Sequence, residues 1–143
     1  MKITQLSVFL ENRTGRLADI AVTLGEIGVN IRAMSLADTT DFGVLRLIVN
    51  DTAKARQVLK DLGFAVRLTE VLAVEIPDRP GELGRLLRII EQAGLNVEYV
   101  YGFVEKNSDN AILIFRFDDL DRAITAIHAK GIRILDDSRL SSL

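Results

Sequence analysis

The amino-acid sequence is written twice. Glu11-Asn12-Arg13-Thr14-Gly15-Arg16-Leu17 returns as Pro77-Asp78-Arg79-Pro80-Gly81-Glu82-Leu83, and Ile27-Gly28-Val29-Asn30-Ile31 returns as Ala93-Gly94-Leu95-Asn96-Val97, both 66 residues later. Further on, Asp51 matches Asp119 and Gly63 matches Gly131 at a spacing of 68, so the second copy carries two extra residues after Asn96. A period of this size with only two copies excludes a solenoid and predicts a duplicated small domain, residues 1–69 and 70–143.

Each copy reads strand, helix, strand, strand, helix, strand. Leu6, Val8 and Leu10 alternate with Gln5, Ser7 and Phe9, and Leu72, Val74 and Ile76 repeat the pattern. Leu17, Ile20, Ala21, Leu24 and Ile27 then recur at helical spacing up to Gly28, as do Leu83, Leu86, Leu87, Ile90 and Ala93 up to Gly94. Second strands follow, clearest in Val97, Tyr99, Tyr101 and Phe103, with polar hairpin turns at 38–41 and 105–110 and third strands at 44–49 and 112–117. Asp51 and Asp119 are N-caps for second helices that Gly63 and Gly131 end. Phe64, Val66 and Leu68 form one fourth strand, and Ile132 with Ile134 opens the other. The order βαββαβ predicts an α+β chain of two tandem ferredoxin-like units, each an antiparallel four-stranded sheet with both helices on one face. A unit of about 70 residues buries only about 60% of its unfolded surface. No Gly-, Pro- or Ser-rich linker parts the copies near Thr69-Glu70, so the two are expected to pack as an intrachain pseudo-dimer.

Composition removes most chemistry. With 48% hydrophobic and 27% charged residues the chain is globular in character. It lacks a run of even ten apolar residues that a membrane helix would need. No secretory stretch follows Met1-Lys2, and zero cysteines exclude disulfides and thiolate chemistry, so a cytoplasmic location is expected. A net charge of −2 argues against a nucleic-acid partner. His128, the only histidine, falls on a helix with no nucleophile motif nearby and reads as a surface residue, so no catalytic residue is assigned. Asp118, Asp119 and Asp121 mark a helix start, where carboxylates cap amides, and are not read as a metal site. Asp136-Asp137 reads as a solvated tail. Neither a GxxxxGK[ST] loop nor a GxGxxG after a strand is present, and no cofactor is expected.

One feature bears on partners. With Leu45, Leu47 and Val49 turned to the helices, Val44, Arg46 and Ile48 face the open side of the sheet, joined by Phe9; Ile112, Ile114 and Arg116 are their counterparts. Such apolar content on a face that is normally polar is either scattered exposed side chains or the footprint of a covering surface. A homodimer through this face is the expectation drawn from the second reading.

The repeated loop is the most informative element. Gly15 and Gly81 sit where a strand turns into a helix, so loop amides and the first helical turn are expected to point outward unpaired, a site for a carboxylate. Asn30 and Asn96 follow about 15 residues later, and an amide side chain meets both ammonium and carboxylate groups. In this topology the loop and the asparagine lie at opposite ends of one helix, so a single ligand reaches both only across an interface between copies. The alternative is that glycine serves the turn and asparagine the backbone after a helix end.

These residues resemble the ACT domain family, the small regulatory modules of amino-acid metabolic enzymes. The resemblance rests on "FLENRTGRLADIA" with "IGVNI" and on "IPDRPGELGRL" with "AGLNV", and it covers nearly the whole chain twice, as in tandem-ACT proteins without a catalytic domain. It implies a non-catalytic protein that binds a free amino acid between ACT units and regulates a metabolic step, with a second copy or a metabolic enzyme as partner. The implied ligand residues are Asn12, Arg13, Thr14, Gly15, Arg16, Leu17 and Asn30 in copy one, and Asp78, Arg79, Pro80, Gly81, Glu82, Leu83 and Asn96 in copy two. Asn12 and Asn30 fall on the two asparagine positions of serine-sensing members. Those members carry histidine where this chain has Leu10 and Ile76, a departure that counts against serine. Asp78 in place of Asn12 makes the two copies differ in preference. A second implied role is an interaction subunit of a metabolic enzyme without a ligand of its own.

Overall fold

A computed structural model of the chain describes residues 1–11, 13–38, 41–103 and 108–142. It divides into two compact units, Thr4–Thr69 and Met1–Ile3 with Glu70–Leu143. The first contains β1 (Ile3–Glu11) apart from its opening Ile3, α1 (Arg16–Glu26), β2 (Ile31–Asp38), β3 (Phe42–Val49), α2 (Thr52–Asp61) and the opening residues of β4 (Ala65–Pro77). The second contains the rest of β4, then α3 (Glu82–Gln92), β5 (Val97–Phe103), β6 (Asn110–Phe117), α4 (Leu120–Ala129), β7 (Arg133–Leu135) and a short α5 (Asp137–Ser141). Thr69-Glu70 lies inside β4, an unbroken strand of 13 residues. The hairpin turns fall partly on 39–40 and 104–107, outside the described residues.

Strand order is β2-β3-β1-β4 in the first unit and β5-β6-β4-β7 in the second. Pairing is antiparallel, with Val8 opposite Leu45 and Met34 opposite Leu47 in one sheet, and Val74 opposite Leu113 and Val100 opposite Phe115 in the other. This is the ferredoxin-like arrangement read from the sequence. Alternation puts Leu6, Val8, Leu10, Leu45 and Leu47 on one face, where Ile20 and Leu24 of α1 and Ala55 and Leu59 of α2 close the core. Leu72, Val74, Ile76, Phe115 and Phe117 meet Leu86 and Ile90 of α3 and Ala123 and Ile127 of α4 in the same way. Phe115 and Phe117, two residues apart on one face, stack with ring centroids 5.1 Å apart.

One device ends all four long helices. Gly28, Gly63, Gly94 and Gly131 have φ of 78°, 90°, 71° and 71°, the left-handed region that only glycine enters cheaply. The Gly28 N–H donates to the Gly25 carbonyl at 3.1 Å and the Val29 N–H to the Leu24 carbonyl at 2.9 Å, the paired bonds of a Schellman motif. Gly63 with Phe64, Gly94 with Leu95, and Gly131 with Ile132 repeat the pair. The residue after each glycine is apolar and buried, so the stop signal also supplies a core side chain.

Helix starts are of two kinds. Asp51 and Asp119 cap α2 and α4, each side chain accepting from a backbone N–H three residues on at 3.1 Å, as their spacing predicts. Asp136 caps α5, accepting from the Arg139 N–H at 2.9 Å and the Ser138 hydroxyl at 2.7 Å. The segment expected to be a solvated tail is thus a capped turn of helix, held by the 3% exposed Leu140. Among the described residues no side chain caps α1 or α3.

The sheet faces turned away from the helices differ from expectation. Val71, Ala73, Ile112 and Ile114 are 0% exposed, and Gln5, Ser7 and Ile48 are buried as well. The Gln5 amide donates to the Ser7 hydroxyl at 3.0 Å, and that hydroxyl lies 3.4 Å from the Thr69 hydroxyl. Period-2 alternation shows which residues share a face but not whether that face meets water. Ile48, Ile112 and Ile114 are therefore not scattered exposed side chains. Phe9, at 40% exposure, does remain open.

Two stability predictions follow from these helix ends. In urea denaturation Gly28→Ala and Gly94→Ala each lose about 1–2 kcal/mol, because alanine is strained at positive φ. Gly25→Ala instead gains about 0.5–1 kcal/mol, since it is helical and a Cβ there meets nothing within 4 Å. The Asp136 carboxyl is held below its ordinary value, first by the Arg139 N–H and then by Ser138. A pKa lowered by folding stabilises above the unfolded value, and the contribution is lost as pH falls through the folded one. The protection factor of the Arg139 amide against hydrogen exchange, taken relative to the intrinsic rate at each pH, therefore falls below about pH 4 in wild type, and in Asp136→Asn that acid step is absent.

Candidate functional site

The repeated loop is first of all a turn. The Arg16 N–H donates to the Arg13 carbonyl at 3.2 Å, and the Glu82 N–H to the Arg79 carbonyl at 3.3 Å. Gly15 (φ 87°, ψ −10°) and Gly81 (φ 92°, ψ −18°) have the angles of the third residue of a type II turn. Pro80 then occupies the second position, where its fixed φ suits the turn, and Thr14 shows that proline favours the turn without being required. The Asp19 and Arg85 amides donate to the Gly15 and Gly81 carbonyls, each at 2.9 Å, starting the helices.

The expectation that all loop amides point outward unpaired is therefore corrected. Arg16 and Glu82 spend theirs inside the turn, the Asp78 N–H donates to the Asp109 carbonyl at 2.9 Å, and the Arg79 N–H to the Pro77 carbonyl at 3.0 Å. What stays open is the next part of the first turn, Leu17-Ala18 and Leu83-Gly84. There α1 and α3 lack the side-chain cap that α2, α4 and α5 possess.

Side chains around the turn are divided. Arg13 reaches Glu11 at 3.5 Å, and both are exposed. Arg16 turns away from the helix end and lays its guanidinium 4.7 Å from the centre of the Phe64 ring, with Asp19 at 3.9 Å. Thr14 and Gly15 are exposed, and Leu17 packs against the first core. In the second copy Glu82 lies between Arg79 (3.3 Å) and Arg85 (3.9 Å), while Asp78, Pro80, Gly81 and Leu83 are exposed. Asn12 lies outside the described residues.

Asn30 and Asn96 sit just before β2 and β5, at the far end of α1 and α3 from the turn. An 11-residue helix spans about 16 Å, so the fold separates each asparagine from its own copy's loop. Both asparagines belong to a local latch. The Asn30 N–H donates to Asn50 Oδ1 at 2.9 Å and the Asn50 N–H returns to the Asn30 carbonyl at 3.2 Å. Asp118 does the same for Asn96, at 3.0 and 3.2 Å. Sequence reasoning missed this role of Asn50 and Asp118. The available signal was two polar residues 68 apart, each directly before an N-cap aspartate.

The remaining candidates have structural roles. Asp119 caps α4, Asp118 holds the Asn96 amide, and Asp121 pairs with Lys2 at 3.0 Å. Among the described residues no group of histidine and carboxylate side chains is placed to hold a metal ion. His128 is exposed in the last turn of α4. No helix among the described residues is long and apolar enough to cross a membrane. Removing the latch tests its role: Asn50→Ala loses about 0.5–1.5 kcal/mol in urea denaturation and speeds hydrogen exchange at the Asn30 amide.

Comparison with known proteins agrees with this architecture. The chain is similar over its full length to protein BT0572 from Bacteroides thetaiotaomicron, with 37% identity, 98% of that chain covered and a TM-score of 0.93. It shares its fold with the regulatory subunit of aspartate kinase from Thermus thermophilus (14% identity, 88% of this chain and 90% of that one, TM-score 0.63). The corresponding subunit from Thermus flavus is similar at 17% identity over 88% of this chain and 90% of that one, with a TM-score of 0.59. No curated protein matches the chain in sequence at a significant level. Residues 1–143 match the family described as an ACT domain pair, and the chain belongs to that family.

Proposed function

We propose that this ACT domain pair is a non-catalytic regulatory protein that binds a free amino acid. The observation that carries the reading is the contrast among helix starts. Aspartate caps α2, α4 and α5, whereas α1 and α3 begin at a glycine turn with no capping side chain. An uncapped helix N-terminus offers N–H donors and the positive end of the helix dipole to a carboxylate. Here it recurs at the same place in both copies.

In this reading the ligand carboxylate takes the amides of Leu17-Ala18 or Leu83-Gly84, within the loops Asn12 to Leu17 and Asp78 to Leu83. The side chains of Asn30 or Asn96 take the ammonium group. Since each asparagine lies a helix length from its own loop, the second half of a site comes from another ACT unit, in the same chain or a second copy. Binding then favours one arrangement of units and alters affinity for a metabolic enzyme, a coupling typically worth about 1–3 kcal/mol. Support for the regulatory role comes from family membership and from fold relatives that are regulatory subunits of aspartate kinase. Those relatives contribute the fold and the analogy, and the ligand assignment rests on the helix starts.

Thermal denaturation against each of the twenty amino acids tests the proposal. A ligand present at about 100 times its dissociation constant stabilises by about 2.7 kcal/mol. For a chain of this size that is roughly 5–11 °C in Tm. No shift with any amino acid at millimolar concentration refutes amino-acid binding. Where one does shift Tm, Asn30→Ala and Asn96→Ala are expected to reduce the shift, and an unchanged response in both removes these asparagines from the site.

A further inference from the structure

The two copies differ sharply at one place. Where β4 approaches its end, Glu75 has only 8% of its side chain exposed. Its Oε1 accepts from the Asn110 side-chain amide at 2.8 Å, while its Oε2 is buried with no hydrogen-bond partner. The nearest cation to Oε2 is Arg133, 3.9 Å away and itself 65% exposed, which covers the carboxylate without bonding to it. Together with Arg85 and Lys130 these residues line a cavity of about 350 Å³ that lies wholly within the second unit.

The first copy provides an internal control. At the repeat spacing, Glu75 corresponds to Phe9, Asn110 to Phe42, Lys130 to Leu62, Arg133 to Ala65 and Arg85 to Asp19. Phe9, Phe42 and Leu62 are 40%, 57% and 53% exposed. The same fold therefore forms with mostly apolar, partly exposed side chains at these positions, so it does not require the charged set. A buried carboxylate oxygen lacking a donor carries a desolvation cost that a donor in the cavity would relieve.

We propose that this corner of the second unit is a binding site for a small ammonium carboxylate, such as an α-amino acid, with Glu75 as its ammonium receptor. The ligand ammonium takes the place beside Oε2 that the Arg133 guanidinium now covers. Arg133 swings outward and, with Lys130 and Arg85, receives the ligand carboxylate. Arginine suits this role because its planar fork donates two parallel hydrogen bonds to a carboxylate. The site shares its class of ligand with the reading above but none of its residues, and it needs only one ACT unit.

Isothermal titration of the full chain with the twenty amino acids, repeated with the N-acetyl form of any binder, tests it. The expected result is a binder that loses at least tenfold in affinity on N-acetylation, because Glu75 then has no ammonium to pair. Glu75→Gln weakens binding at least tenfold, and Arg133→Ala, a change at an exposed side chain that leaves the fold intact, does so too. An N-acetyl form that binds equally well overturns the proposal, as does Glu75→Gln and Arg133→Ala both binding like wild type. If binding falls with Asn30→Ala or Asn96→Ala and survives both Glu75→Gln and Arg133→Ala, the corner site is refuted while the helix-start site stands. If none of the twenty binds at millimolar concentration, both are refuted.

Discussion

Every positive φ among the described residues belongs to a glycine, and those glycines come in three repeat pairs: 15 and 81, 28 and 94, 63 and 131. The rest of each unit depends on these left-handed positions. One member of each set turns β1 or β4 into its helix, and the other two stop the helices so that the chain can return as a strand. An L side chain at such a position costs about 1–2 kcal/mol. That cost is a large share of the net stability of a small domain, which is typically only about 5–15 kcal/mol. The glycines thus fix helix length, and helix length determines which apolar faces meet.

Because those signals are local, much of the fold was legible in the sequence. Glycine spacing, the Asp51 and Asp119 caps and the alternation of Leu72, Val74 and Ile76 each act through neighbours a few residues away. What was not legible depends on longer range. Alternation cannot tell whether the second face of a sheet is wet, so Ile112 and Ile114 read equally as scattered exposed side chains or as covered ones, and they are fully buried. Nothing in the residues around Thr69-Glu70 separates two abutting strands from one, and β4 passes straight through. Asp136 has the composition of a tail, and its role as a cap appears only once Leu140 is seen to be buried.

The candidate site was legible to a similar depth. The motif marked the two loops as turns into helices, but composition does not reveal that the Arg16 and Glu82 amides are consumed within a type II turn. Nor does it reveal that the Asn30 and Asn96 backbones are held by Asn50 and Asp118. The backbone of each asparagine serves the strand start, a long-range pairing that the motif does not show. The Glu75 corner was invisible because its parts come from four elements and share no motif. It emerges only when the copies are compared position by position, with a buried carboxylate on one side and Phe9 on the other.

The two extra residues of the second copy fall between the equivalent pairs Ala37–Val44 in one sheet and Phe103–Ile112 in the other. On either side the registers agree: Met34 faces Leu47 just as Val100 faces Phe115. Side chains alternate with a period of two, so an even insertion keeps every residue of the following strand on its original face, whereas a slip of one would turn a core leucine outward. The hairpin tip is therefore the segment where this chain can change length in steps of two without disturbing either core. Inserting a peptide or a label there, two residues at a time, is a way to alter the protein's surface while its glycine-set helices stay as they are.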